Sequence, residues 1–205
     1  MVWISVDGLE GAGKTTLVSG LAQSLACARV LPEFSAGFSG KALAAAVKVT
    51  PHYISRSVVA QSLFFLGEFV EKIEESRPSI EDAHTLILSD RGLLSKIAYQ
   101  AAVLRPTIGE RTETLISACL DGLPIPDLTI WLSVEPQVAK GRVEGRGAPR
   151  NRFDVEFMRT AAGEFERAGH RHRAERLDAT VMTASQVQAL VYSRIVKEWP
   201  IFAQR

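Results

Sequence analysis

The sequence predicts an α/β fold of three layers, in which helices cover both faces of a five-stranded parallel sheet. Two observations predict it. Short apolar runs rich in β-branched residues, typical of buried parallel strands, alternate along the chain with longer segments of helical periodicity. Neither a linker nor an internal repeat interrupts this alternation over the 205 residues, so we expect a single domain, residues 1–205, with a substantial core.

The first strand, loop and helix follow directly from the N-terminal sequence. VWISV is a short apolar run of the kind that forms a buried strand, and LVSGLAQSLACA repeats apolar residues at helical spacing. Between them lies GLEGAGKTT, whose glycines interrupt both patterns. The chain is therefore expected to begin with a strand, a glycine-rich loop and a helix.

The remaining elements alternate in the same way towards the C-terminus. TLILSD and DLTIWLSV are buried-strand candidates, and the last helix, ASQVQALVYSRIVKEW, is amphipathic. The predicted strands span residues 2–6, 29–32, 85–90, 127–134 and 174–179. The predicted helices span residues 17–28, 39–48, 54–76, 92–104, 110–123, 136–146, 153–170 and 184–199. Gly8, Glu33 and Asp90 should then converge at the carboxyl ends of the strands, where ligands bind such sheets.

Composition limits the classes of function. A net charge of +1 and a hydrophobic content of 46% match neither a strongly basic nucleic-acid-binding protein nor a disordered chain, so we expect small ligands and no nucleic acid. Cys27 and Cys119 lie outside any metal-binding spacing, which favours reduced core residues. No apolar run approaches the about 20 residues of a membrane span, and the first run lacks the features of a signal peptide. We expect a cytoplasmic enzyme with no membrane partner.

The segment GLEGAGKTT has the spacing G-x-x-x-x-G-K-T of a nucleotide-binding P-loop. In such a loop, backbone N–H groups and the lysine surround phosphates, and the N-terminus of the following helix adds a positive end. Lys14 is therefore assigned to the donor phosphates and the Thr15 hydroxyl to Mg²⁺. The loop residues predicted to bind ATP are Gly8, Gly11, Ala12, Gly13, Lys14, Thr15 and Thr16. The alternative, a glycine turn without a ligand, is disfavoured by the flanking strand and helix.

Further motifs follow the P-loop in a characteristic order. The guanine-reading patterns of switch GTPases, N-K-x-D and D-x-x-G, do not occur in the sequence. LILSDRGLLSKIAYQ, PDLTIWLSVEPQVAKGR and LDAT succeed GLEGAGKTT as they do in the thymidylate kinase family, which the chain resembles over nearly its whole length. The resemblance implies a P-loop kinase fold, a homodimer, and an enzyme that uses ATP and Mg²⁺ to phosphorylate a nucleoside monophosphate.

The resemblance assigns roles to the Asp-Arg pair that ends the third predicted strand. Arg91 is expected to hold the acceptor phosphate bidentately, and Asp90 to bind Mg²⁺ directly or through water. The alternative for Asp90 is a cap on the helix that begins near Leu93. Both residues belong to the specific pattern D-R-x-x-x-S-x-x-A-Y-Q.

Three further residues are expected to contact the acceptor. Tyr99 should pack near the acceptor sugar, with a place in the core face of its helix as the alternative. Glu10 stands inside the P-loop with the same sign of charge as the phosphates, and in relatives an acid there faces the sugar 3′-hydroxyl. The alternative is a surface glutamate. Glu33, which follows the second strand, should point into the same pocket.

Four arginines are interleaved with glycine and proline in GRVEGRGAPRNR. They are Arg142, Arg146, Arg150 and Arg152. This composition predicts a short arginine-rich lid, residues 142–153, that closes over ATP and brings positive charge to the transferring phosphate. Arg146 and Arg150 are the catalytic candidates and Arg142 is an ATP contact. A solvated basic loop is the alternative.

The sequence departs from the family pattern in the acceptor pocket. LPEFSAGFSG stands where the family has R-E-P-G-G-T, and Gly92 stands where an aromatic residue usually follows D-R. Glu68 falls where relatives place an arginine that contacts the thymine ring. A carboxylate accepts hydrogen bonds, so we expect Glu68 to favour a base with an amino group. The alternative is that Glu68 does not contact the base. Gln61 and Phe65, on the same helix, are also expected to bind the substrate.

The leading acceptor is dTMP, and two other functions stay open. A deoxynucleoside kinase would phosphorylate a sugar hydroxyl, with Glu33 or Asp90 as the base. A regulatory module would bind ATP without transferring its phosphate. The joint presence of Lys14, Asp90, Arg91 and the lid arginines disfavours that module.

Overall fold

A computed structural model describes residues 2–49, 57–80, 84–146 and 154–203 of the chain. Within these residues a five-stranded sheet has the order β2-β3-β1-β4-β5, and its neighbouring strands pair in parallel. The strands are β1 (Val2–Gly8), β2 (Ala28–Leu31), β3 (Leu86–Asp90), β4 (Leu128–Ser133) and β5 (Glu175–Asp178). The predicted parallel sheet between layers of helices is therefore confirmed.

Helices connect the strands in the predicted order. They are α1 (Lys14–Ser24), α2 (Phe38–Val49), α3 (Val58–Ile80), α4 (Leu93–Ile108), α5 (Arg111–Leu120), α6 (Pro136–Glu144), α7 (Val155–Arg171) and α8 (Ala184–Glu198). The predicted helix 54–76 begins outside the described residues and ends later than expected, at Ile80. Helix α4 also runs four residues beyond its predicted end and includes Pro106. In the described residues no helix is long and apolar enough to cross a membrane.

Burial divides the strands into a central and a peripheral set. Every residue of β1 is buried, and β3 and β4 are almost as fully enclosed, as their continuous apolar runs predict for strands covered on both faces. The edge strands β2 and β5 are partly exposed. The carboxyl ends of β1 and β3 therefore lie side by side in the middle of the sheet, and these ends carry the P-loop and the Asp-Arg pair.

Asp7 connects these two neighbouring strand ends. Its carboxylate is fully buried in β1, and one oxygen accepts hydrogen bonds from the backbone N–H groups of Gly92 (2.9 Å) and Ser95 (2.8 Å). The other oxygen accepts a hydrogen bond from the Ser5 hydroxyl at 2.9 Å. Asp7 thus satisfies the N-terminus of α4, whose own capping residue provides no side-chain hydrogen bond. This contact holds the β3–α4 turn against β1.

Replacing Asp7 by alanine should lower the free energy of unfolding by about 1–3 kcal/mol, because two buried N–H groups would lose their acceptor. Urea denaturation followed by circular dichroism measures this change. Asp121→Ala, at an exposed position, is the matched control and should change stability by less than about 0.5 kcal/mol. An Asp7→Ala protein as stable as the wild type would contradict the capping role.

Candidate active site

Two cavities adjoin the P-loop at the carboxyl ends of the strands. The larger, of about 510 Å³, extends from the P-loop along α3 and α4. The smaller, of about 290 Å³, extends from the P-loop to α6 and to the start of α8. Gly11, Gly13 and Arg146 line both cavities. Ligands bound in the two cavities would therefore meet at the P-loop.

The glycines of the P-loop serve different purposes. Gly11 has a φ of +85°, and a Cβ at this position would lie 2.3 Å from the carbonyl oxygen of Ala139. Gly8 packs against β4 instead of facing the cavities, and a Cβ there would lie 2.4 Å from the Leu132 carbonyl oxygen. Gly8 thus permits the close approach of two strands, whereas Gly11 shapes the loop that faces the cavities.

The other predicted ATP-binding residues lie on one or the other cavity. Lys14 and Thr15 line the larger cavity. Ala12, Thr16 and Arg142 line the smaller one. The residues that the sequence motif presents as one group are therefore divided between the two cavities, and the division continues into the first turn of α1.

Lys14 is the buried cation of the P-loop. Its Nζ donates a hydrogen bond to the Leu9 carbonyl oxygen at 2.8 Å. Burial, reinforced by the positive charge of Arg91, lowers the pKa of Lys14 to about 7, although Asp90 and other nearby carboxylates oppose this change. Additional negative charge beside the ammonium, such as that of bound phosphates, would favour its protonated form.

Thr15 and Asp90 bring two oxygens together at the mouth of the P-loop. The Thr15 hydroxyl donates a hydrogen bond to Asp90 Oδ2 at 2.5 Å, which joins the start of α1 to the end of β3. Among the described residues no group of three or more histidine, cysteine or acidic side chains could hold a metal ion. A cation at this point would therefore need phosphate or water ligands in addition to this oxygen pair.

Arg91 is held in an uncommon backbone conformation at the edge of the larger cavity. Its φ is +66°, a region that residues other than glycine rarely adopt. Its N–H donates a hydrogen bond to the Val6 carbonyl oxygen at 3.0 Å, and its own carbonyl oxygen accepts one from Lys72 Nζ at 3.0 Å. These two contacts compensate for the strain and fix the start of the arginine side chain.

The guanidinium of Arg91 is oriented by an acid and an aromatic ring. Its Nε lies 2.7 Å from Glu33 Oε1, and its Cζ lies 5.2 Å from the centroid of the Tyr99 ring. Burial alone would lower the pKa of Arg91, but the Glu33 carboxylate and the Tyr99 hydroxyl raise it above its ordinary value. The guanidinium is therefore a permanent positive charge beside the cavity.

The carboxylate of Glu33 is charged and paired with Arg91. Burial would raise the pKa of Glu33, but the positive charges of Arg91 and Lys14 outweigh burial and lower this pKa below its ordinary value. A carboxylate that is already charged and paired is a poor proton acceptor. This pairing disfavours Glu33 as the base of a deoxynucleoside kinase.

Tyr99 joins the P-loop to α4. Its hydroxyl oxygen accepts a hydrogen bond from the backbone N–H of Glu10 at 2.9 Å, and its ring packs edge-on against Phe165 with centroids 5.6 Å apart. Tyr99 and Glu10 also line the larger cavity. Tyr99 therefore packs against a core aromatic ring and also lines the larger cavity, and its contact with the acceptor sugar stays a prediction.

A sequence profile described as thymidylate kinase matches residues 6–191. The chain belongs to the thymidylate kinase family. It is accordingly a nucleotide kinase, and the predicted family, fold and enzyme class are confirmed. As in the family, ATP is the phosphate donor and the acceptor is a nucleoside monophosphate.

Individual relatives support this assignment over most of their length. The chain is 30% identical to the thymidylate kinase of Halorhodospira halophila over 173 residues, which cover 80% of the chain and 79% of the relative. It is 29% identical to the thymidylate kinase of Verminephrobacter eiseniae over 212 residues, or 97% of the chain and 92% of the relative. The solved thymidylate kinase structure from Candida albicans has the same fold, with a TM-score of 0.79 at 21% identity, covering 99% of this chain and 98% of that one.

The arginine-rich segment of this thymidylate kinase family member is described in part. Arg142 donates hydrogen bonds from Nη2 to the carbonyl oxygens of Ala179 (2.9 Å) and Thr180 (3.2 Å), so it ties α6 to the loop after β5. Arg146 is exposed and lines both cavities. Arg150 and the segment 147–153 lie outside the described residues, and the catalytic role of Arg150 stays a prediction.

The acceptor residues expected on α3 divide into two groups. Gln61 and Phe65 line the larger cavity, as expected. Glu68 is buried behind the cavity wall, where Oε1 accepts a hydrogen bond from Ser35 N–H at 2.7 Å and Oε2 lies 3.0 Å from Lys96 Nζ. The expectation that the Glu68 carboxylate faces the base is therefore corrected, because both of its oxygens are engaged by protein groups.

Lys96 lines the larger cavity and was absent from the sequence-based candidates. A signal existed in the sequence: Lys96 directly follows the serine of D-R-x-x-x-S and precedes Tyr99 by three residues on the same helix face. The sequence does not show that Lys96 pairs with Glu68, because Glu68 lies 28 positions away on another helix.

ATP binding at pH 8 should be accompanied by the uptake of about one proton, because phosphates next to Lys14 would raise a pKa that burial lowers to about 7. At this pH the lysine of the free protein is mostly neutral, and it becomes charged in the complex. ATP affinity should accordingly fall as the pH rises above 7. Isothermal titration calorimetry in buffers of different ionisation enthalpy measures the uptake.

Lys14→Met should abolish this proton uptake while the fold is retained. Lys140→Met is the matched control, since Lys140 is partly exposed on α6 and pairs only loosely with Glu144, at 3.9 Å. Equal uptake in the wild type and in Lys14→Met would show that another group takes up the proton.

Proposed function

We propose that this enzyme transfers the γ-phosphoryl group of ATP to the 5′-phosphate of a deoxynucleoside monophosphate, with dTMP as the leading acceptor. One observation carries the proposal: two cavities share Gly11, Gly13 and Arg146 at the P-loop. Phosphoryl transfer requires donor and acceptor phosphates in line, and adjoining sites on one loop provide this arrangement.

The smaller cavity suits the donor nucleotide. It includes Ala12 and Thr16 of the P-loop, and its far wall is formed by Met182, Thr183 and Val187 near the start of α8. Apolar side chains at this distance from the loop suit an adenine ring, and the N-terminus of α1 suits the phosphates. Arg142 would support this wall through its bonds to the loop after β5 rather than act on the reacting phosphate.

The larger cavity suits the acceptor. Arg91, charged and preoriented by Glu33 and Tyr99, would bind the monophosphate bidentately. Glu10 would face the sugar, and the ring of Phe65 would stack on the base. The names of the relatives, which are thymidylate kinases, support dTMP as the acceptor.

The transfer itself would rely on positive charge. Lys14 would bridge the oxygens of the donor phosphate, and Arg146, at the junction of the cavities, would neutralise charge on the transferring group. Thr15 Oγ1 and Asp90 Oδ2, 2.5 Å apart at the P-loop, fit the hard oxygen ligands that Mg²⁺ prefers and would hold this ion beside the phosphates. When bound, Mg²⁺ would supply further positive charge to the donor oxygens.

A homodimer and a cytoplasmic location stay predictions, as does the assignment of residues 1–205 to one domain with a lid at 142–153. Sedimentation of the purified protein measures the oligomeric state.

A coupled ADP-release assay over a panel of deoxynucleosides and their monophosphates tests the proposed function. We expect turnover with monophosphates, greatest with dTMP, and none above background with deoxynucleosides. Faster turnover with a deoxynucleoside would favour phosphorylation of a sugar hydroxyl. ATP binding without turnover of any acceptor would favour a regulatory module.

Arg91→Ala should raise the KM for the monophosphate by about 100-fold, because a bidentate pair with a phosphate is lost. The Kd for ATP should stay within about threefold of the wild-type value, since Arg91 lines the larger cavity and not the smaller cavity that is proposed to bind ATP. Arg171→Ala, at an exposed arginine paired with Glu113, is the control and should leave both constants unchanged. Unchanged monophosphate kinetics in Arg91→Ala would contradict the acceptor assignment.

A further inference from the structure

The larger cavity contains a buried ion pair that the phosphoryl-transfer chemistry does not use. Lys96 and Glu68 are 5% and 1% exposed, and their charged atoms lie 3.0 Å apart. Removing two charges from water is costly, so a buried pair with one member on a cavity wall is a candidate for recognition rather than for stability alone. Lys96 is the member that lines the cavity.

Aromatic rings surround the ammonium group of Lys96. Its Nζ lies 5.6 Å from the ring centroid of Phe34, 5.7 Å from that of Phe65 and 5.6 Å from that of Phe69. Phe34 and Phe65 also line the cavity. A flat ring that enters between these side chains would therefore present one edge to the ammonium group.

The ammonium group has donors to spare. The lysine side chain has three N–H donors and no acceptor, and within the described residues the Lys96 ammonium group makes one hydrogen bond, to Glu68 Oε2. Two donors are thus available to a ligand. Glu68 is fixed in turn by the backbone N–H of Ser35, so the position of the ammonium group is set by the protein before any ligand binds.

A further polar group, the side-chain amide of Gln100, lies one helical turn from Lys96. Gln100 lines the same cavity and is 5% exposed, and its side-chain Oε1 has no hydrogen-bond partner in the described structure. Rotation about its last side-chain bond exchanges the oxygen and the nitrogen of the amide, so Gln100 can accept a hydrogen bond from a ring N–H. Lys96 and Gln100 together complement a ring edge in which a carbonyl group adjoins an N–H group.

We propose that Lys96, positioned by Glu68, is a specificity-determining residue that selects an acceptor base with a keto group over one with an amino group at the same position. A base carbonyl accepts a hydrogen bond from the ammonium group. An exocyclic amine would instead bring donor against donor and leave buried groups unpaired. The inference rests on the proposed monophosphate kinase function, and it reverses the preference for an amino group that Glu68 suggests when it is considered alone.

Two matched substrate pairs test this selection in the wild-type enzyme. The nucleotides dTMP and 5-methyl-dCMP differ at position 4 of the ring and in the adjoining N–H, and dIMP and dAMP differ in the same way at position 6. We expect kcat/KM to favour dTMP over 5-methyl-dCMP by about tenfold or more, and dIMP over dAMP in the same direction. A ratio within twofold for dTMP and 5-methyl-dCMP would overturn the proposal.

The double variant Lys96→Met with Glu68→Gln removes both charges without leaving either one buried alone. Methionine fits among the three phenylalanine rings, and glutamine can still accept the hydrogen bond from Ser35. The dTMP to 5-methyl-dCMP ratio should fall by about tenfold, whereas Lys96→Arg, which keeps a cationic donor, should preserve the preference. Dissociation constants measured without ATP should change in the same sense.

The outcomes separate the proposal from its alternatives. Equal losses for both nucleotides in the folded double variant would show that the ion pair has a structural role only. An unchanged ratio would show that another residue reads the base. Wild-type enzyme that turns over no monophosphate would instead refute the proposed function, and the binding constants for the matched pair would still test the role of Lys96.

Discussion

The carboxylate of Asp7 is the constraint on which the larger cavity depends. It is buried in the central strand and accepts two backbone hydrogen bonds from the start of α4. This contact sets where α4 begins relative to the P-loop, which begins at Gly8, the residue after Asp7 and the last residue of β1. The same contact fixes the positions of three cavity residues, because Arg91 lies on the β3–α4 turn and both Lys96 and Tyr99 lie on the cavity face of α4.

The site accumulates buried positive charge before any substrate is present. Burial lowers the pKa of Lys14 to about 7, and burial together with the nearby charge of Lys96 lowers the pKa of Lys72 to about 8. Arg91 and Lys96 stay close to carboxylates, at 2.7 Å from Glu33 and 3.0 Å from Glu68. Bound phosphates would offset the positive charge of Lys14 and Arg91. Burial of these cations is unfavourable in the free enzyme, but it places their charge in position before the substrates bind.

Two carboxylates near the larger cavity, Glu33 on its wall and Glu68 behind the wall, have different partners. Glu33 and Glu68 both lie near cations, yet Glu33 pairs with Arg91, the residue proposed to bind the acceptor phosphate, whereas Glu68 pairs with Lys96 among aromatic rings. Glu68 on α3 is paired with Lys96 on the neighbouring helix α4. Lys96 is the member of this pair that lines the cavity, so the pair presents a hydrogen-bond donor there.

The sequence by itself determined the strands, the P-loop and the Asp-Arg turn, because these depend on local apolar periodicity and on residues that are close together in the chain. It also determined that Gln61, Phe65, Glu10 and Tyr99 belong near one pocket, through motif order. Only the tertiary structure decided three long-range contacts: Lys72 with Arg91, Glu68 with Lys96 and Asp7 with Ser95, which join residues 19, 28 and 88 positions apart. The packing of one helix against another decides which side chains meet, and no periodicity along a single helix carries that information.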